Sequence, residues 1–259
     1  MKVELDIRKS AQENAAAYYD EAKRLREKAT GAEKAAKDTE RKLRELEKEI
    51  EREKAKPEAK VRVKREKEWF ERFRWFRSED GLLCIAGRDA GQNEAVVARH
   101  LEPGDLFFHA EIHGAPATVL KGGEKAGEKP KREAAQFAAS YSSAWKLGSS
   151  TVDVYAVKPP QVSKRSEAGE FAGKGGFIIR GEREWFRNSE LGLLIGLGEK
   201  GVESAPALRG KGEMKDAVSV KVGDLEKGDA AKLIAKRLGE KADLDEILQA
   251  LPAGKFAVE

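Results

Sequence analysis

The chain has one cysteine, two methionines and three histidines among 259 residues. A lone thiol, Cys84, closes no disulfide within a chain and builds no cysteine-based metal cage, which points to a reducing compartment. Long apolar runs are missing as well: no stretch approaches the roughly 18 residues that a membrane span needs. The first thirty residues read as a charged helix with no apolar signal core. The expectation is a soluble cytoplasmic protein with no membrane partner. Aromatic residues are scarce, at 7%. Proline is absent from residues 7–56, where Gly31 is the one glycine.

Charge is plentiful, at 37% of residues, but unevenly placed. Residues 7–56 are rich in Ala, Lys, Glu and Arg, and their propensities predict one long helix. At 1.5 Å per residue it would be a rod on the order of 75 Å, too long for the rest of the protein to wrap. An apolar seam runs through Ala15, Tyr18, Ala22, Leu25, Ala29, Ala32, Ala35, Thr39, Leu43, Leu46 and Ile50 at spacings of three and four, the spacing of a coiled coil. So alanine-heavy a seam needs a partner strand. Residues 61–76, beyond a break at Pro57 and a turn over 56–60, are the candidate returning helix of an antiparallel hairpin. Its shortness leaves the outer rod in need of another partner, for which a second copy of the chain is the candidate.

The net charge is +4, too small to specify a partner. Its placement says more. Residues 61–77 hold seven cations (Arg62, Lys64, Arg65, Lys67, Arg72, Arg74, Arg77) and three anions (Glu66, Glu68, Glu71), a local +4 equal to that of the whole chain. Trp69, Phe70, Phe73, Trp75 and Phe76 are interleaved with them. Cations neutralise phosphates and flat rings stack on unpaired bases, so the segment has the ingredients for RNA. The structural alternative is that the rings bury one helix face while the cations stay solvated. Both can hold together.

After Ser78 short apolar runs alternate with turn signals. Strands are predicted over 82–86, 106–110, 117–120, 152–157, 177–180, 191–197 and 217–222, and helices over 90–101, 131–146, 228–238 and 244–251. The fold class is therefore α+β, or mixed α/β: a charged coiled-coil arm over residues 1–77, then one globular domain over 78–259 with a mixed sheet packed against helices.

Gly87-Arg88-Asp89-Ala90 ends a strand and opens a helix, with Asp89 placed as N-cap and Gln92 three residues on, as in a capping box. The functional alternative is a turn that offers backbone N–H groups and Arg88 to a phosphate. His109 and His113 have the spacing of a helical metal pair, but Phe107-Phe108 and Gly114-Ala115-Pro116 argue for strand and turn. No third ligand is apparent, so no metal site is expected. The glycine-rich stretch 169–176 lacks the Gly-Lys-Ser/Thr ending of a nucleotide-binding loop and precedes a strand. Before it, Gln161, Ser163, Lys164 and Arg165 form a cationic loop.

Several of these runs, taken together, resemble one family. Glu71-Arg-Phe-Arg-Trp-Phe76, Gly87-Arg-Asp-Ala-Gly-Gln-Asn-Glu94 and His109-Ala-Glu-Ile-His-Gly-Ala-Pro116 match, in order and spacing, the RNA-binding domain of the NFACT proteins of ribosome-associated quality control. Gln161-Val-Ser-Lys164, the glycine loop and Gly176-Phe-Ile-Ile-Arg-Gly181 continue the match, and Asn14 with Tyr18-Tyr19-Asp20 looks like the start of that family's coiled coil. The resemblance covers nearly the whole chain. It implies a noncatalytic, cofactor-free RNA-binding component whose partners are the large ribosomal subunit RNA and tRNA or peptidyl-tRNA on stalled ribosomes. No counterpart of the family's N-terminal NFACT half is seen, so untemplated tailing is not expected of this chain alone, and a separate chain supplying that half is a candidate partner. The candidate RNA-binding residues are Arg72, Arg74, Trp75, Arg77, Arg88 and Asn93, then His109, His113, Lys164, Arg165 and Arg180. The alternatives are a coiled-coil scaffold, an adhesin as some bacterial relatives are labelled, or a metal-dependent hydrolase using His109 and His113 with Asp105, Glu111 or Asp89.

Overall fold

The computed structural model describes residues 3–54, 66–164, 172–210, 214–239 and 242–259. The chain divides into two compact units, Met1–Arg65 and Glu66–Glu259.

In the first unit the helix expected from composition is α1, Ala11–Lys54, 44 residues long. Its start is capped reciprocally: the Glu13 amide donates to Ser10 Oγ (3.2 Å) and the Ser10 amide to the Glu13 carboxylate (2.8 Å), the capping-box arrangement. Asn14, the one buried residue of the helix start, ties down the preceding segment by accepting from the Asp6 amide (2.9 Å) and donating to the carbonyls of Asp6, Lys9 and Ser10. Tyr18 Oη donates to the Glu4 carbonyl at 2.7 Å. From there to Lys48 the helix is exposed on all sides. Leu25, Leu43 and Leu46, three members of the seam, are each more than half exposed, so the seam has no partner among the described residues. The turn expected over 56–60 and residues 61–65 lie outside them.

The second unit is built on a six-stranded sheet in the order β1-β2-β4-β3-β5-β8. Its strands are β1 (Arg74–Arg77), β2 (Leu83–Ala86), β3 (Leu106–Ala110), β4 (Thr118–Leu120), β5 (Thr151–Val157) and, after the short pair β6 (Val162–Ser163) and β7 (Ile178–Ile179), β8 (Glu184–Glu190). Period-two alternation sends neighbouring side chains into different cores. Ile85, Phe107, Val119, Tyr155 and Val157 meet Phe70, Phe73 and Val96 on one face. Cys84, Ala86, Leu106, Phe108, Leu120, Val154 and Ala156 face the other, against helix α3 (Glu128–Ser140). Val96 belongs to helix α2 (Ala90–His100).

A four-stranded sheet, β10-β9-β11-β12, comprises β9 (Gly192–Gly198), β10 (Gly201–Pro206), β11 (Lys215–Leu225) and β12 (Phe256–Val258). Helices α5 (Lys227–Leu238) and α6 (Leu244–Ala250) pack on it through Ile234, Leu238 and Ile247. Helix α3 touches both sheets. Accordingly Glu133 to Ser140 are buried without interruption, as a helix covered all round requires. Ser140 Oγ joins α3 to β9, donating to the Gly192 carbonyl (3.2 Å) and accepting from its amide (3.0 Å).

The α+β class holds, with three corrections. Every strand pair among the described residues is antiparallel, so the sheets are not mixed. The returning helix over 61–76 is not formed where the chain is described: Trp69–Arg72 is a short 3-10 turn and Arg74–Arg77 is the strand β1. The three-residue spacing of Phe70, Phe73 and Phe76 imitates a helical stripe. In fact Phe70 and Phe73 enter one core and Phe76 crosses to the other, its ring centroid 4.7 Å from that of Phe137. The basic-aromatic segment from Glu66 therefore belongs to the globular unit. The helix expected over 131–146 is two: Ser142 interrupts it and caps α4 (Ser143–Lys146), accepting from the Ala144 amide at 3.2 Å.

Candidate nucleic-acid interface

The β2–α2 junction is fixed by its own side chains. Asp89 Oδ1 accepts the Gln92 amide (2.8 Å), and Gln92 Oε1 accepts the amide of Arg88 (3.1 Å). Asp89 is therefore the N-cap that the spacing indicates, but the return bond of the box goes to the Arg88 amide, one residue before the cap, and those two N–H groups are occupied. Gly87 is required: a Cβ there would stand 2.1 Å from Asn93 Oδ1. That oxygen accepts the amide of Ala117 (3.0 Å), so Asn93 stitches the helix to the strand β4 edge.

Arg88, exposed, leaves this turn and donates to the Phe73 carbonyl at 3.2 Å. Arg74, opposite Ala86 in the β1–β2 register, reaches back to the Gly87 carbonyl (3.3 Å). Its guanidinium carbon lies 4.4 Å from the centroid of the Tyr141 ring, and its Nε is buried with no hydrogen-bond partner. Burial, with Arg88 adding to it, pulls its pKa below the ordinary arginine range. Burial and the charge of Arg74 do the same to Lys227. An arginine does not give up its proton in a protein, so the charge stays. Neither Arg74 nor Arg88 has a carboxylate within 4 Å among the described residues.

These two cations open onto a cleft of about 740 Å³. Asn93, His109 and His113 also line it, as do Lys146, Lys174 and Phe177. The glycine loop closes it on the α2 side: Gly175 accepts no side chain, because φ is +80° and a Cβ would lie 2.7 Å from that of Ala90. Its amide donates to Glu94 (3.0 Å), which also pairs with Lys164. Those contacts, Lys164 first, hold the Glu94 carboxyl below its usual range.

His109 lies on β3, half-buried, bonded to the backbone at Ala110 and Ala115, and burial lowers its pKa. His113 lies in the turn after β3, where its carbonyl accepts from Ser143 Oγ (2.5 Å). Among the described residues no group of three or more His, Cys, Asp or Glu side chains could hold a metal ion. The carboxylates suggested for hydrolysis are engaged elsewhere: Asp105 with Lys121 (2.6 Å), Glu111 with Arg183 (3.2 Å), and Asp89 in the cap.

Five of the sequence-derived candidates, Arg74, Arg88, Asn93, His109 and His113, thus converge on one cleft. The others do not. Trp75 and Arg77 line a smaller cavity of about 190 Å³ with Lys200, Glu203 and Arg209. Arg72 bonds His100 (3.1 Å), on which the exposed Trp69 stacks at 4.4 Å. Lys164 is held by Glu94, Arg180 is exposed beyond β7, and Arg165 lies outside the described residues. Sequence reading missed Lys146, an isolated cation with no local motif, and did not single out Lys174 within the glycine-rich stretch 169–176. It also missed the ladder at the start of β8, where Arg183, just before the strand, and Arg187, on it, lie 5.7 and 3.9 Å from the Trp185 ring centroid. Alternating charged and aromatic residues were the signal for that strand.

No helix among the described residues is long and apolar enough to cross a membrane. The family model of the NFACT protein RNA binding domain matches residues 72–181, the stretch that contains the cleft's cations Arg74, Arg88, Lys146 and Lys174. The archaeal Rqc2 homolog aRqcH of Methanocaldococcus jannaschii is 40% identical over 208 residues, which are 78% of this chain and 31% of that protein. The human ribosome quality control complex subunit NEMF is 38% identical over 184 residues, 69% of this chain and 16% of that protein. Among solved structures, the C-terminal part of the fibronectin/fibrinogen-binding protein from Streptococcus suis overlaps with a TM-score of 0.40 at 22% identity, covering 53% of this chain and 52% of that one. The chain spans less than a third of the length of these curated relatives. With an NFACT RNA-binding domain at its centre and these relatives along most of its length, the chain belongs to the NFACT family.

Proposed function

We propose that this chain is a noncatalytic RNA-binding part of ribosome-associated quality control, and that it binds large-subunit RNA and tRNA or peptidyl-tRNA through the Arg74–Arg88 cleft. The observation behind this reading is charge without a direct partner: two guanidinium groups line a concave surface, and although the Asp89 carboxylate on the same surface favours the charge of Arg74, neither group is paired with a carboxylate within 4 Å among the described residues. Like charges held together at partial burial are costly unless an anion joins them. A phosphodiester is the anion that the relatives' names favour, since their work is at the ribosome. That work would place the protein in the cytoplasm. Untemplated tailing is not assigned to the residues present here.

The test is binding to purified large subunits and to a structured RNA across a salt series. Affinity should fall as salt rises, as counterion release requires. Arg88→Ala and Lys146→Ala should each weaken binding severalfold and flatten the slope by about one phosphate contact. Absence of binding at low salt, or affinity indifferent to salt, would defeat the proposal.

A further inference from the structure

Resting on that reading, we infer that the cleft receives a single unpaired nucleotide: its phosphate meets Arg74 and Arg88, and its base meets the rings of Phe177 and His109. The shape is the first reason. A volume of about 740 Å³ is that of a pocket for a small molecule, not of a track for a duplex. An A-form helix carries its phosphates on a convex surface. Those phosphates reach the exposed Arg88 more readily than Arg74, which is half-buried over Tyr141. A splayed-out nucleotide can enter.

The lining supplies the second reason. Cations and half-buried rings occur together in it: Arg74, Arg88 and Lys174 beside Phe177 and His109. That pairing of charge with flat apolar surface suits a nucleotide whose base has left its stack. Phe177 is presented by the glycine loop, which Glu94 anchors through the Gly175 amide. Gly87 and Gly175 leave no room for side chains, so the floor and the loop are closely packed and the cleft has a defined shape. A merely solvated basic surface has no need of such packing.

The experiment measures the affinity of the full chain, at one salt concentration, for three hairpin RNAs. They are fully paired, identical with one bulged nucleotide, and identical with an abasic nucleotide at the bulge. The bulged hairpin should bind about fivefold or more tighter than the paired one, the lower end of what stacking one base contributes. The abasic bulge should lose most of that preference. Phe177→Leu should reduce the preference while leaving affinity for the paired hairpin unchanged, and Arg88→Ala should weaken the bulged hairpin most. Lys232→Ala, an exposed cation paired with Asp229 on α5, should change neither. If no hairpin binds even at low salt, the RNA reading itself fails and this inference with it. Equal, Arg88-dependent affinity for paired and bulged hairpins would leave the RNA reading standing and overturn the nucleotide pocket. The pocket is equally overturned by a preference that survives both Arg88→Ala and Phe177→Leu, or by an abasic bulge that binds as well as the intact one.

Discussion

Asn93 lines the cleft, yet its carboxamide oxygen is committed to the Ala117 amide and packs against Gly87. It serves architecture, whereas Arg88 two positions after the β2 strand serves the surface. Asn93→Ala leaves a buried N–H unpaired and should cost about 1–3 kcal/mol in urea unfolding. Arg88→Ala should stay within about 0.5 kcal/mol of the parent, as surface substitutions do. A neutral Asn93→Ala with lost RNA affinity would reverse these roles. His109 gives a pH prediction with a definite sign. Burial lowers its pKa, so the unfolded chain, with an ordinary value near about 6.5, takes up a proton first as pH falls. Stability is therefore full above that value and declines below it. His100, lowered by burial as well, acts in the same direction, whereas the carboxyls of the buried Glu133 and the half-buried Glu203, raised by desolvation, act oppositely at lower pH. The contribution of His109 is the difference between parent and His109→Gln: the variant should lose less melting temperature between pH 7.5 and 5.5. An equal loss in both would refute the assignment.

At the scale of elements, the sequence was most legible where one period persisted. Helix α1 stands where propensity put it and strand β5 where alternation put it, and Asp89 caps α2 as its spacing required. The basic-aromatic segment was misread because a 3-10 turn followed by a strand can place phenylalanines three apart, as a helix does. Only the sheet, which divides them between two cores, reveals the difference. Strands β8, β10 and β12 escaped notice because an edge strand with one solvated face, or a three-residue strand, has little apolar signal of its own. The site was legible in its motif residues and illegible in Lys146 and Lys174, which only the fold brings to the cleft. Helix α3 carries the consequence for stability. The family match ends at residue 181, before β8, β9 and β10, although α3 needs β9 and β10 to cover its second face. A fragment of residues 66–181 should therefore expose apolar surface, bind a hydrophobic dye and melt without a sharp transition. In the full chain Phe137→Ala should cost about 3–5 kcal/mol and lower a single transition. A fragment that melts cooperatively would show that the second sheet is dispensable to α3.

For the molecule as a whole the open question is what α1 meets. Forty-four residues make a rod of about 66 Å, and a helix of that length is able to form without tertiary contacts when its sequence is rich in good helix formers. Its exposed leucines are nevertheless an apolar seam with coiled-coil spacing, and such a seam is buried against another helix when one is available. Charge does not oppose a second copy: the helix has twelve acidic and twelve basic residues, 12 − 12 = 0. We therefore propose that two chains associate through α1. Sedimentation of the full chain should show a concentration-dependent dimer, and removal of residues 1–65 should abolish it. Leu43→Asp with Leu46→Asp should do the same without unfolding Glu66–Glu259, because that unit is compact in its own right. The unit alone should keep its affinity for a short RNA, where one site is engaged. It should lose apparent affinity for the large subunit, where two linked copies would gain from effective concentration. A full chain that stays monomeric at every concentration would leave the seam to a helix from a different protein.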